Sequence, residues 1–151
     1  MATEHVLIDK KTPEAYRAAI GLATAVSAAE KDNDLPRTIV ELINIRVSQI
    51  NGCATCLDVH FKKAAAAGVT TRQLATISQW RDTELFDARE QAALRLAEIT
   101  TTLPDHDTAE REYARVRTVL TDGEVSAVIW VAIAINAFNR VSILSRHPVR
   151  P

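Results

Sequence analysis

Charge of either sign is in no excess in this chain: 18 lysines and arginines stand against 19 aspartates and glutamates, a formal net charge of −1 at pH 7. That balance sets up no long-range field to draw in a phosphate backbone, so no nucleic-acid partner is expected. Aromatic residues make up only 5% of the chain, and four glycines with five prolines supply few of the turns a strand-rich fold needs. The 47% of residues that are apolar are mostly Ala, Leu, Ile and Val, which favours helices. Cysteine is scarcer still, at two residues, which excludes a scaffold stapled by several disulfides.

Long apolar runs are missing too. The most apolar segment, Val125 to Phe138 (VSAVIWVAIAINAF), is interrupted by Ser126 and Asn136 and is about 14 residues long, short of the roughly 20 that span a bilayer. It reads as a buried helix, apolar nearly all round, which must be covered on every side and can feed a subunit interface. No membrane association is expected. The amino-terminal stretch MATEHVLIDKK lacks the basic-then-apolar order of a secretory signal, so a cytoplasmic location is expected, where thiols are normally kept reduced.

The 151 residues suit one ordinary domain, taken as residues 1–151. Thr12-Pro13 opens a helix through the Ala-rich run to about Lys31, and Pro36 opens a second whose apolar residues recur at helical spacing until Asn51-Gly52. A third begins near Cys53 and stops at Gly68. Capping boxes at Thr70/Gln73, Asp87/Glu90 and Thr121/Glu124 start three more, the first a short helix to about Trp80 and the last reaching about Arg146, and a further helix fits Thr108 to Leu120. No alternating strand pattern competes. The expectation is an all-α domain of about six or seven helices.

Both cysteines fall in NGCATCLDVH, residues 51 to 60. On a helix Cys56 lies at about 300° and His60 at about 340° from Cys53, so all three share a narrow face. Cys53, at the helix start, meets unpaired backbone N–H groups and the positive end of the helix dipole, which favour a thiolate. His60, one turn after Cys56, is spaced to take its proton, which makes Cys56 the better-activated nucleophile. Cys53, at the exposed helix start, is then placed to close a disulfide with an oxidised Cys56.

Glu41 stands alone inside the apolar run TIVELINI, where a carboxylate is partly desolvated and can orient His60 if the Asn51-Gly52 turn folds one helix onto the other. It equally fits an i,i+4 pair with Arg37 on a solvated face. Cysteines three apart are also ordinary core residues, and a zinc site remains open: Cys53, Cys56 and His60 give three ligands, with Glu41 or a distant histidine as the fourth. His5, His106 and His147, among charged or loop residues with no thiol nearby, read as surface residues.

Glu41, eleven residues, then Cys53-x-x-Cys56-x-x-x-His60 resembles the active-site signature of AhpD-like alkylhydroperoxidases within the carboxymuconolactone decarboxylase family. The flanking ELINIRVSQINGCATCLDVH and the later AINAFNR are also similar to family segments. The resemblance implies an all-helical fold and a cysteine peroxidase acting on organic hydroperoxides or hydrogen peroxide, with no haem, flavin or metal. Glu41 and His60 would deprotonate a thiol through a water, Cys56 would attack the peroxide and become a sulfenic acid, and Cys53 would condense with it. It further implies re-reduction by a dihydrolipoyl group on a partner protein or electron transfer to a peroxiredoxin, and a trimer or hexamer. Some AhpD proteins carry a second histidine between the cysteines, where this chain has Thr55. Two other readings remain beside it: a zinc-binding helical scaffold, and a general disulfide oxidoreductase acting on a protein partner.

Overall fold

The structure, a computed structural model, describes residues 3–151, so Met1 and Ala2 at the head of the amino-terminal stretch lie outside it. The described residues form eight α-helices and no strand. They are α1 (Ile8–Lys11), α2 (Pro13–Asp32), α3 (Arg37–Asn51), α4 (Ala54–Ala67), α5 (Thr71–Thr76), α6 (Ala88–Thr102), α7 (His106–Arg117) and α8 (Asp122–Leu144), with a 3-10 segment at Ile77–Asp82. The fold is all-α as the sequence implies. The extra helix is the single turn α1, too short to show in periodicity.

Local chemistry accounts for the boundaries. The three expected capping boxes are all formed, at Thr70/Gln73, Asp87/Glu90 and Thr121/Glu124. Pro36 caps α3 rather than starting it, and Asp105 accepts from Thr108 N–H, so α7 begins earlier than Thr108. The helix expected from Thr70 to Trp80 gives way to the 3-10 segment, with Gln79 out of helical geometry at φ −118° and ψ 30°. The change of winding accompanies burial of the Trp80 ring, whose Nε1–H donates to Glu98 at 2.9 Å.

α3 is the central strut, packing against α4, α6 and α8, while α8 also packs against α2 and α6. One face of α3 (Ile39, Val40, Ile43, Val47) joins a core cluster with α6 and α8. Leu42 and Ile45 point instead into a second cluster with Ala64, Ile77 and Trp80. Glu41 and Asn44 are carried between the two.

α8 runs past both ends of the apolar segment and is the one helix among the described residues long and apolar enough by composition to cross a membrane. Here it is a core helix with Val128, Val131 and Ala132 buried. It is not covered on every side: Trp130 and Ile133 stay exposed although α2, α3 and α6 pack against the helix.

Candidate active site

The turn at Asn51-Gly52 places the chemistry. Gly52 takes the left-handed conformation (φ 71°, ψ 39°), and Cys53 N–H reaches back to the Ser48 carbonyl at 3.0 Å, ending α3 and starting α4 without an intervening loop. The turn is pinned to α8. Asn51 Nδ2 donates to Asn136 Oδ1 at 2.9 Å and Asn139 Oδ1 at 3.0 Å, and the fully buried Asn139 donates to Ser48 Oγ at 3.0 Å.

Cys53 is the residue before α4, and Cys56 N–H points at its sulfur at 3.4 Å. The two cysteines are joined as a disulfide. The Cys53 sulfur thus accepts from a first-turn N–H, a setting that stabilises a thiolate once the bond is opened. The sequence reading put Cys53 at an exposed helix start; the structure corrects this. Cys53 is only 2% exposed and Cys56 7%, because the end of α8 folds over the beginning of α4.

α3 folds back on α4 as the signature requires, and Glu41 Oε2 lies 2.6 Å from His60 Nδ1. Glu41 is wholly buried and His60 nearly so. A carboxylate on Nδ1 fixes the tautomer with its proton there and leaves Nε2 to accept another. The Arg37 pair is formed as well: its guanidinium holds Glu41 Oε1 and lies 3.6 Å from Glu30. The i,i+4 pair and the histidine contact therefore coexist, each on its own oxygen, with Glu41 buried and the Arg37 side chain half exposed.

Burial is the largest single influence on Glu41 and pushes its carboxyl up. The His60 hydrogen bond, the His60 and Arg37 charges and the Asn44 amide together outweigh it and hold the group below the usual glutamate range. Glu30, across the guanidinium, goes the other way: burial, and then the negative charge of Glu41, raise it against the pull of Arg37.

His60, Arg37, Glu30 and Asn44 line one end of a cleft of about 620 Å³ that runs between α2 and α8 to Tyr16 and Phe138. Asn44 (3.5 Å from Glu41 Oε2) and Glu30 were not singled out from the sequence. Asn44 carries a signal there, lying three residues after Glu41 in the same apolar run; Glu30 has none, since it comes from another helix.

His5 and His106 are exposed, as expected. His147 is not a bystander remote from the thiols: it lines a small cleft together with Cys53, and its carbonyl accepts from Thr55 Oγ1 at 2.6 Å. Sequence distance concealed this, since the end of α8 returns to the start of α4 only in the folded chain. Among the described residues no group of three or more His, Cys, Asp or Glu side chains is arranged to hold a metal ion.

The model of the carboxymuconolactone decarboxylase family matches residues 13–98, a span that includes Glu41, Cys53, Cys56 and His60. An uncharacterized protein of Bacillus subtilis (strain 168), YdfG, is 35% identical over 113 residues, covering 75% of this chain and 77% of its own length. YnjA, an uncharacterized protein of Escherichia coli (strain K12), is 28% identical over 74 residues, 49% of this chain and 41% of its own. Among solved structures, a protein of unknown function from Agrobacterium tumefaciens, named as a candidate AhpD antioxidant-defence protein, superposes with a TM-score of 0.86 at 27% identity. The match covers 98% of this chain and 100% of that one. The debrominase Bmp8, in complex with 2,3,4-tribromopyrrole, superposes with a TM-score of 0.79 at 16% identity over 93% of this chain and 73% of its own, a likeness of fold.

Proposed function

The chain belongs to the carboxymuconolactone decarboxylase family, and on that footing we propose that it is a thiol peroxidase of the AhpD kind, reducing organic hydroperoxides or hydrogen peroxide. The observation that carries the reading is the buried Glu41 carboxylate held 2.6 Å from His60 Nδ1, one helical turn beyond a Cys53–Cys56 disulfide. A buried carboxylate–imidazole pair is a base, and a vicinal cysteine pair at a helix start is the nucleophile such a base serves.

In the cycle His60 Nε2 takes the Cys56 thiol proton, directly or through a water, and the thiolate attacks the terminal oxygen of the hydroperoxide. The O–O bond breaks, Cys56 becomes a sulfenic acid, and the departing alkoxide or hydroxide takes the proton back from His60. Cys53 thiol then attacks the sulfenic sulfur, water leaves, and the disulfide forms. Two electrons and two protons from a dithiol restore both thiols, a demand that a dihydrolipoyl group on a partner protein fits; in a second arrangement the reduced pair passes its electrons on to a peroxiredoxin and is itself oxidised to the disulfide. Action in the cytoplasm and assembly as a trimer or hexamer, through the exposed Trp130 and Ile133 side of α8, belong to the same proposal.

Stopped-flow mixing of reduced protein with excess tert-butyl hydroperoxide is the test. Loss of both thiols in one turnover is expected, with no oxidation above the uncatalysed rate in Cys56→Ser. Full turnover in Cys56→Ser, or unreactive thiols in the wild type, overturns the mechanism. Unreactive thiols together with reduction of insulin disulfides would replace it by a general disulfide oxidoreductase.

A further inference from the structure

The Glu41–His60 pair has a counterpart beside the other cysteine. Cys53, Thr55, Arg146 and His147 line a cleft of about 160 Å³ that shares no lining residue with the larger cleft at His60. His147 of this cleft has its Nε2 3.2 Å from Oδ1 of Asp9, a carboxylate behind the lining and only 8% exposed. The pair is assembled from the two ends of the chain. Ile8 N–H donates to the buried Ser145 Oγ at 3.1 Å, and Thr55, between the two cysteines, donates its hydroxyl to the His147 carbonyl at 2.6 Å. Burial pushes the Asp9 carboxyl up, but the His147 hydrogen bond and charge and the nearby Lys10 leave it below the usual aspartate range.

Reduction of a disulfide needs a thiolate to attack one sulfur in line while the other leaves, and the better leaving sulfur is the one whose thiolate is more stable. Of the two cysteines only Cys53 lines this cleft, so attack falls on Cys53, and Cys56, one turn before His60, is the sulfur that leaves. We propose that the small cleft is the docking and proton-transfer site for the thiol reductant, with His147, oriented by Asp9, as the base that activates the incoming thiol. This deepens the peroxidase reading and rests on it for the second half of the cycle. A cleft of this volume takes the end of a slim dithiol arm, not a folded protein surface.

His147 takes a proton from one reductant thiol, and that thiolate bonds to Cys53 Sγ while the Cys53–Cys56 bond breaks and Cys56 leaves as thiolate. The reductant's second thiol gives its proton to solvent, attacks its own mixed disulfide and departs oxidised. Cys53 leaves as thiolate and takes the proton held by His147. The histidine carried between the cysteines in some AhpD proteins is Thr55 here, and the Thr55 hydroxyl instead holds the backbone of a histidine from the end of the chain.

The test uses full-length protein oxidised with diamide, so no peroxide enters it, and dithiothreitol as the reductant. His147→Gln and Asp9→Asn are expected to lower the second-order rate constant of reduction by about 10- to 100-fold, a larger factor than any fall in peroxide-driven oxidation. Free imidazole should restore the rate in His147→Ala. In Cys56→Ser, a thiol-reactive aromatic disulfide should form a mixed disulfide at Cys53. Unchanged reduction rates, equal losses in both half-reactions, or failure of imidazole rescue in a variant whose thermal midpoint is intact would overturn the proposal. If His147→Ala does not fold, Asp9→Asn decides alone by the ratio of the two half-reactions. Thiols that never react with peroxide would remove the peroxidase reading while this measurement still stands.

Discussion

Glu41 holds the electrostatics of the site because its two oxygens serve different partners: Oε1 meets Arg37 and Oε2 meets His60. Glu41→Gln keeps the shape and removes the charge, leaving the half-exposed Arg37 guanidinium and the His60 imidazole N–H with weaker acceptors. A loss of about 2 kcal/mol at pH 7 is expected from urea unfolding. The sign with pH follows from the lowered carboxyl. Its stabilisation is fully present above the ordinary glutamate value of 4.5 and is lost as pH falls through the folded value below it, so the wild-type and Glu41→Gln stabilities should converge in acid. The same substitution should raise the pH at which Cys56 becomes alkylation-sensitive, read by pH-dependent iodoacetamide labelling of reduced protein. A stability gap that persists undiminished at pH 3 would mean the carboxylate charge is not what the fold uses.

At the scale of elements, the α3–α4 reversal is what turns a sequence motif into a site. Gly52 at φ 71° has open space around it, so Gly52→Ala tests backbone conformation rather than crowding and should cost about 1 kcal/mol. Gly21, inside α2 and equally uncrowded, is the control: Gly21→Ala should stabilise by up to about 1 kcal/mol. Asn139→Ala strips partners from Ser48 and Asn51 and should cost about 1–3 kcal/mol by thermal or urea unfolding, with slower thiol oxidation as the turn loosens. These elements also show why the sequence was partly legible. Capping boxes, Asn51-Gly52 and the spacing of Cys53, Cys56 and His60 are local signals, read within a few residues of where they act. Glu41 to His60 needed only that two adjacent helices reverse. Thr55 to His147 and Asn51 to Asn139 span 92 and 88 residues, and nothing local announces which distant turn will return. The 3-10 winding at Trp80 was hidden likewise, because it accompanies contacts with α6, not the residues around it.

For the whole molecule, two apolar clusters must be held in one register, and α3 does this from between them. Arg46 on α3 donates to Glu98 Oε1 at 2.9 Å, and the same carboxylate accepts from Trp80 Nε1 at 2.9 Å and Arg81 Nη1 at 2.6 Å. Arg81 extends the chain to Glu112, which also holds Arg95, and both guanidiniums stack on the Trp80 ring. Burial is the largest influence on Glu98 and on Glu112 and opposes ionisation, but their hydrogen bonds and the nearby arginines leave both carboxyls below the usual range. Glu41 and Glu124 are depressed in the same sense, while Glu30 and Glu90 are raised, chiefly by burial. The depressed groups give stability that is complete above pH 4.5 and disappears as pH falls through their folded values. The raised pair works in reverse, gaining as it protonates, but is outnumbered and lacks the bridging position of Glu98. The urea midpoint should therefore be flat from pH 7 to about 5 and fall steeply below 4.5. In Glu98→Gln the unfolding free energy should be lower at pH 7 by about 2 kcal/mol and the acid fall of the midpoint shallower. An acid limb equally steep in that variant would place the pH sensitivity elsewhere than in the link between the two clusters.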